Sequence, residues 1–162
     1  MSDLGSQTPY PAGQPAEAEY GRQPVHAGKG SGPRAGFWRR FAAFLIDSLL
    51  LGLLFGVLVA VLDEAIAYLI YILATFVYFA AMEGGASGQT LGKKLLGIRV
   101  IDFRAGGPIG FGRGLLRQIG RIPSGLVLYL GYLWMLWDGE KQTWHDKIAT
   151  TVVVPLDAYP VR

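Results

Sequence analysis

The sequence predicts an all-α membrane protein: a small transmembrane helix bundle with a basic interfacial segment and room for a short β pairing. Hydrophobic residues make up 51% of the 162-residue chain, against 17% charged residues. The apolar residues are gathered into runs, with one charge (Asp47) in residues 41–62 and none in residues 65–82. As helices rising about 1.5 Å per residue, such runs cover roughly 27 to 33 Å, the thickness of a bilayer's hydrocarbon. Lys and Arg flank these runs and form no aromatic-interleaved patch, so the formal charge of +3 reflects membrane topology and not a nucleic-acid surface.

Residues 1–35 form a leader rich in Gly, Pro and Gln, a composition that predicts disorder. No apolar run begins at Met1, so the leader does not read as a secretory signal. Tyr10 and Tyr20 are its only large aromatic contacts for a partner, and His26 reads as a tail residue. A membrane domain is expected over 36–155 and a short tail over 156–162. Its first span, about 41–62, is entered past Arg34, Arg39 and Arg40, and Asp63-Glu64 turns the chain into a second span at about 65–82. That turn carries no Lys or Arg, whereas the following segment carries Lys93, Lys94, Arg99, Arg104, Arg113 and Arg117. The asymmetry predicts a cytoplasmic N-terminus and central segment, with the turn outside. So short a turn makes the spans an antiparallel hairpin. Ser48, Gly52 and Gly56, four residues apart, form a small-residue stripe suited to close helix packing within the chain or between copies.

Residues 84–118 read as an interfacial segment. After a flexible GGASGQ, Thr90 is placed to cap a short helix, followed by extended GIRVIDF and a turn at RAGGPIG. A second β-branched run, TTVVVP, is compatible with pairing to GIRVIDF. Arg113, Arg117 and Arg121 share one face of the next helix, where their charges, with those of Lys93 and Lys94, are expected to contact headgroup phosphates. Pro123-Ser124 is expected to break or kink that helix, and a third span is expected at about 119–137, its Tyr and Trp residues acting as interfacial anchors.

Few chemistries fit these residues. The chain has no cysteine, which excludes disulfides, thiolate nucleophiles, Cys-ligated zinc and iron–sulfur clusters within it. GQTLGKKLLG departs from the phosphate-loop spacing, since Lys93 is followed by Lys94 and not by Ser or Thr. His145 and Asp146 are adjacent, and no second His in the membrane domain completes a metal site. Asp146 is read as a cap or pin, His145 as its hydrogen-bonded neighbour and Trp144 as an anchor. No enzyme, metal or cofactor is expected. Asp47 is the sharpest residue, because a carboxylate in hydrocarbon is costly unless protonated, hydrated or paired. Arg40, seven residues earlier, is about 10 Å away along the axis. An arginine of the central segment or polar backbone is the other candidate partner.

Together FWRRFAAFLIDSLLL, GQTLGKKLLGIRVID and WHDKIATTVVV closely resemble the RDD family of bacterial membrane proteins, over roughly residues 35–155. The resemblance implies that Arg40, Asp47 and Asp146 match the arginine and two aspartates for which the family is named, with Asp102 as an alternative to Asp146. It also implies a bacterial inner-membrane location and a biochemical role that is poorly defined across the family, with cation–proton exchange associated with some members. The short apolar segment between the arginine stripe and Asp138 departs from the longer family pattern. The expected function is a structural or regulatory membrane module acting through helix-mediated assembly, its partners being membrane lipids and a second copy or another membrane protein. The alternative is a homo-oligomeric cation/proton transporter using Asp47.

Overall fold

The computed structural model describes residues 32–127 and 130–159. Leader residues 1–31, with Tyr10, Tyr20 and His26, lie outside the described residues, as do 128–129 within the expected third span and 160–162 of the tail. The chain runs through α1 (Phe37–Val61), α2 (Glu64–Gly84), α3 (Leu91–Leu95), β1 (Ile98–Asp102), α4 (Gly110–Leu126), α5 (Leu130–Leu133) with a 3-10 turn at Trp134–Leu136, α6 (Trp144–Ile148) and β2 (Thr151–Pro155).

The 25 residues of α1 and 21 of α2 are each long and apolar enough to cross a membrane. Asp63 caps α2 by accepting the Ala65 amide at 2.9 Å, and Glu64 starts the helix. With only Leu62 and Asp63 between them the helices must return alongside one another. Phe55 fixes the pairing against Tyr68 and Tyr71, with ring centroids 4.9 Å apart in both cases. Leu49, Leu53, Leu69 and Leu73 stay exposed, which suits a solvent as apolar as they are.

The expected third span takes another form. α4 runs through Pro123 to Leu126, and between Gly110–Leu126 and Leu130–Leu136 the axis bends by 111°. The described residues therefore hold two straight candidate spans, or three if this bent pair counts as one. The break comes after Leu126, beyond Pro123. A proline clashes with the carbonyl four residues before it, here Ile119, yet the helix carries on for almost another turn. Before the bend, α4 packs tightly on α2: a Cβ at Gly114 would overlap the Ala80 carbonyl oxygen.

The two β-branched runs do pair. β1 and β2 form a two-stranded antiparallel ribbon in register from Ile98 opposite Pro155 to Asp102 opposite Thr151. Side chains alternate across a ribbon, so Ile98, Val100 and Val153 join Ala35, Ala43 and Ile109 in one buried cluster, while Ile101, Val152 and Val154 form another with Phe103 and Tyr159. Burial of both ribbon faces explains why Ile98, Val100 and Ile101 of β1 and Val152, Val153 and Val154 of β2 are apolar on alternate sides. The Ala35 amide donates to the Val153 carbonyl at 3.0 Å and the Val100 amide to that of Gly88 at 2.7 Å. The ribbon is thereby tied to the entrance of α1 and to the loop after α2.

Candidate functional site

Because the hairpin returns on itself, the start of α1 and the end of α2 lie at the same end. Polar residues collect there in two neighbouring groups.

The first group surrounds Asp47, which is 1% exposed. Its Oδ1 accepts the Tyr78 hydroxyl at 2.8 Å and the Gly92 amide at 2.8 Å, and its Oδ2 accepts the Thr90 hydroxyl at 2.6 Å. Polar backbone and two hydroxyls thus meet the carboxylate, and among the described residues no arginine does. The loop after α2 carries α3 back against α1, with Thr90 as its N-cap. Gly92 permits the approach, since a Cβ there would overlap the Ala43 carbonyl oxygen and lie 3.1 Å from the Asp47 carboxyl carbon. Tyr78 also accepts the Leu91 amide at 3.1 Å, which closes the arrangement.

The second group is an ion network. Asp146, entirely buried, accepts from Arg40 at 2.7 Å through Oδ2 and from Arg117 through Oδ1. Glu83, also entirely buried, accepts from Arg117 Nε at 2.9 Å, from Arg121 at 2.7 Å and from Lys93. Arg117 bridges the two carboxylates and also donates to Thr151. Arg40 donates further to the Ala35 and Val153 carbonyls. Asp146 completes a capping box with Thr143 at the start of α6, a feature that contributes about 1 kcal/mol. Burial alone raises the Asp146 pKa, but Arg117 and Arg40 outweigh it and hold the carboxyl well below the usual range. Burial pushes Lys93 down to about 8 against the opposing pull of Glu83. Burial likewise holds His145 neutral, its pKa well below the ordinary imidazole value, with Nε2 2.9 Å from the Thr143 hydroxyl.

Arg40, Asp146, Arg117, Arg121 and Lys93 therefore come together, while Arg40 and Asp47 do not bond each other. Lys93 and Arg117, expected at lipid phosphates, are instead buried in ion pairs. Ionisation in a low-dielectric interior needs a counter-charge closer than a headgroup. Lys94 is exposed. Arg113 is half-buried, pairs with Asp102 and donates to the carbonyls of Ala149 and Thr150 at 3.0 and 2.9 Å. Asp102 also accepts the Arg104 and Ala105 amides, so it holds a turn away from Arg40. Ser48 is half-buried, and an added Cβ at Gly52 or Gly56 meets nothing within 4 Å, so the small-residue stripe is not packed within the chain. Glu83 is the residue the sequence reading missed. An acid in the last turn of a helix opposes the helix dipole, and that misplacement is the signal of cations gathered around it.

A cavity of about 340 Å³ adjoins both groups, with Phe41 and Phe44 in its apolar lining and Arg40, Lys93 and Arg121 in its polar lining. Among the described residues no group of three or more His, Asp or Glu side chains is arranged to hold a metal ion.

Among known proteins, the chain is similar to the proline-rich antigen homolog of Mycobacterium tuberculosis, 38% identical over 84 residues, which are 52% of this chain and 35% of that protein. It is 40% identical over 72 residues to the proline-rich antigen of Mycobacterium leprae, covering 44% and 29% of the two chains. The chain thus spans about a third of the length of these mycobacterial relatives. It is also 29% identical over 147 residues to the uncharacterized protein YxaI of Bacillus subtilis, covering 74% of this chain and 96% of that one. No solved structure matches it. Residues 34–150 match the RDD family, and they contain Asp47 with its donors and every charged residue of the ion network. With that match and two helices able to cross a membrane, the chain belongs to the RDD family.

Proposed function

We propose that this chain is a membrane-embedded structural or regulatory module that works by helix-mediated assembly with a second copy, its N-terminus and basic segment on the cytoplasmic side. Family membership and the two apolar helices support an inner-membrane location. The observation that carries the assembly reading is the unspent face of α1. Only 11% of its most apolar stretch is buried within the chain, and Gly52 and Gly56 on that face have open space before them. Small residues let two helix backbones approach closely where lipid supplies no hydrophobic drive.

The natural sequence has no cysteine, so single cysteines report contacts cleanly. Gly52→Cys and Gly56→Cys are expected to cross-link into dimers in membranes. Leu54→Cys, about 200° around the helix from Gly52, is expected not to. Equal cross-linking at all three, or none at any, rejects the interface. The second reading, homo-oligomeric cation/proton exchange through Asp47, draws on the carboxylate lining the cavity. Asp47→Asn separates the two in sealed vesicles: lost ion-dependent proton movement with assembly and melting intact favours exchange, whereas weakened assembly or melting without any wild-type flux favours the structural pin.

A further inference from the structure

The cavity beside the ion network carries more positive charge than its own carboxylates balance. Arg40, Lys93, Arg117 and Arg121 all line it, and the carboxylates they pair with are Glu83 and Asp146. Counting Asp47 as a third anion still leaves the cations in excess. Buried charge in excess is costly unless something neutralises it.

Hydrogen bonding in the same corner points the same way. Arg121 Nε, Gln118 Nε2 and His145 Nδ1 are buried nitrogens without a partner. For Arg121 Nε this is a donor by necessity. Gln118 uses its oxygen to accept from Arg121 at 3.1 Å, which leaves its amide protons. Thr143 Oγ1 accepts the Asp146 amide, and in the tautomer in which it donates its own proton to His145 Nε2 the single proton of the neutral imidazole sits on Nδ1. α4 and α6 touch at this place, since an added Cβ on Gly120 would stand 3.1 Å from His145 Cβ. Arg121 Nε and the Gln118 amide are therefore unused donors, His145 Nδ1 joins them in that tautomer, and Arg121 and His145 line the cavity with the excess cations. The lining is also apolar in part: Phe41 and Phe44 are each partly exposed, and the buried Met135 joins them.

We propose that this cavity binds a phosphate-headed anionic amphiphile, with its phosphate at Arg121 and His145 and its apolar chain along Phe41 and Phe44. A phosphate offers several acceptor oxygens and at least one negative charge, and guanidinium geometry fits it well. An apolar tail accounts for the aromatic side, which a free inorganic ion leaves unused.

The purified full chain in a neutral maltoside detergent is melted against dihexanoyl phosphatidylglycerol, dihexanoyl phosphatidylcholine and inorganic phosphate. Phosphatidylglycerol is expected to raise the melting temperature saturably and to bind at least tenfold more tightly than either other probe. Arg121→Gln, if it remains monodisperse, is expected to weaken that binding at least tenfold. Phe44→Ala changes a half-exposed side chain, leaves the ion network untouched and is expected to weaken phosphatidylglycerol several-fold. Equal binding of phosphatidylglycerol and phosphatidylcholine overturns the anionic site. Equal binding of inorganic phosphate, with no effect of Phe44→Ala, overturns the amphiphile. Folded Arg121→Gln that binds phosphatidylglycerol like the natural chain overturns the placement of the phosphate.

Discussion

Glu83→Gln tests whether the ion network holds the fold together. The glutamate is fully buried and accepts from Lys93, Arg117 and Arg121, the last two at 2.9 and 2.7 Å. Glutamine keeps the shape but loses the charge, and its amide group turns donors toward a cation. Arg117 retains Asp146 as a counter-ion, whereas among the described residues Lys93 and Arg121 form no ion pair with another carboxylate. Removing one side of a buried pair costs about 3 to 5 kcal/mol. A chain of this size shifts its melting temperature by about 2 to 4 °C per kcal/mol, so a fall of roughly 6 to 20 °C is expected. The assay is tryptophan-fluorescence melting of the purified protein in detergent, with Glu64→Gln on the exposed first turn of α2 as control. Adding Lys93→Met to Glu83→Gln removes one uncompensated cation while keeping an apolar stem, and should recover part of the loss. A Glu83→Gln variant that melts within about 2 °C of the natural chain, or a control that falls as far, refutes the network as a source of stability.

Gly92→Ala forces a methyl group into the Ala43 carbonyl and pushes the amide away from Asp47. Overpacking and the weakened charged hydrogen bond together predict a loss of about 3 kcal/mol, read by the same melting assay. Stability also has a pH dependence from His145, whose folded pKa is depressed by burial. The unfolded imidazole takes up a proton near pH 6.5 and the folded one does not, so stability falls as pH drops through that value. Between pH 7.0 and 5.5 the loss is about 1.2 kcal/mol, and it should disappear in His145→Gln; an unchanged slope in that variant assigns the dependence to another group.

Local physics made much of the fold legible. The two apolar runs have no other home than lipid or another helix, Thr90 announces a cap, and the two β-branched runs matched well enough to suggest their pairing. What stayed hidden depends on contacts distant in the chain. Arg40 meets Asp146 across 106 positions and Arg117 meets Glu83 across 34, and no periodicity encodes such partners. The spacing of the arginines in α4 predicts a shared face, and in the structure Arg113 pairs with Asp102 while Arg117 and Arg121 pair with Glu83. Helical spacing gathers charges on a side without saying what that side meets. The 111° turn after Leu126 was hidden for a similar reason: hydropathy over 119–137 reports that the residues are apolar and says nothing of where the axis goes.

The distribution of polar groups follows from the solvent around α1 and α2. In water, the leucines and valines of these helices would fold inward and hold the chain together; in lipid they gain nothing by doing so. Apart from the buried Leu51, most of them point outward, and cohesion falls to the groups that lipid cannot satisfy. Asp47 draws α3 onto α1 through Thr90 and Gly92. Asp146 draws the start of α1 and the middle of α4 together while capping α6, and Glu83 closes α2 onto α3 and α4. Each of the three acids joins elements that apolar packing alone would leave free to slide. Buried carboxylates would ordinarily suggest chemistry, but here each has its oxygens occupied by fixed donors, which a proton or ion carrier must be able to release. The cations left in excess, and the donors at Arg121, Gln118 and His145 that no acid reaches, are the part of the network that structure alone does not use.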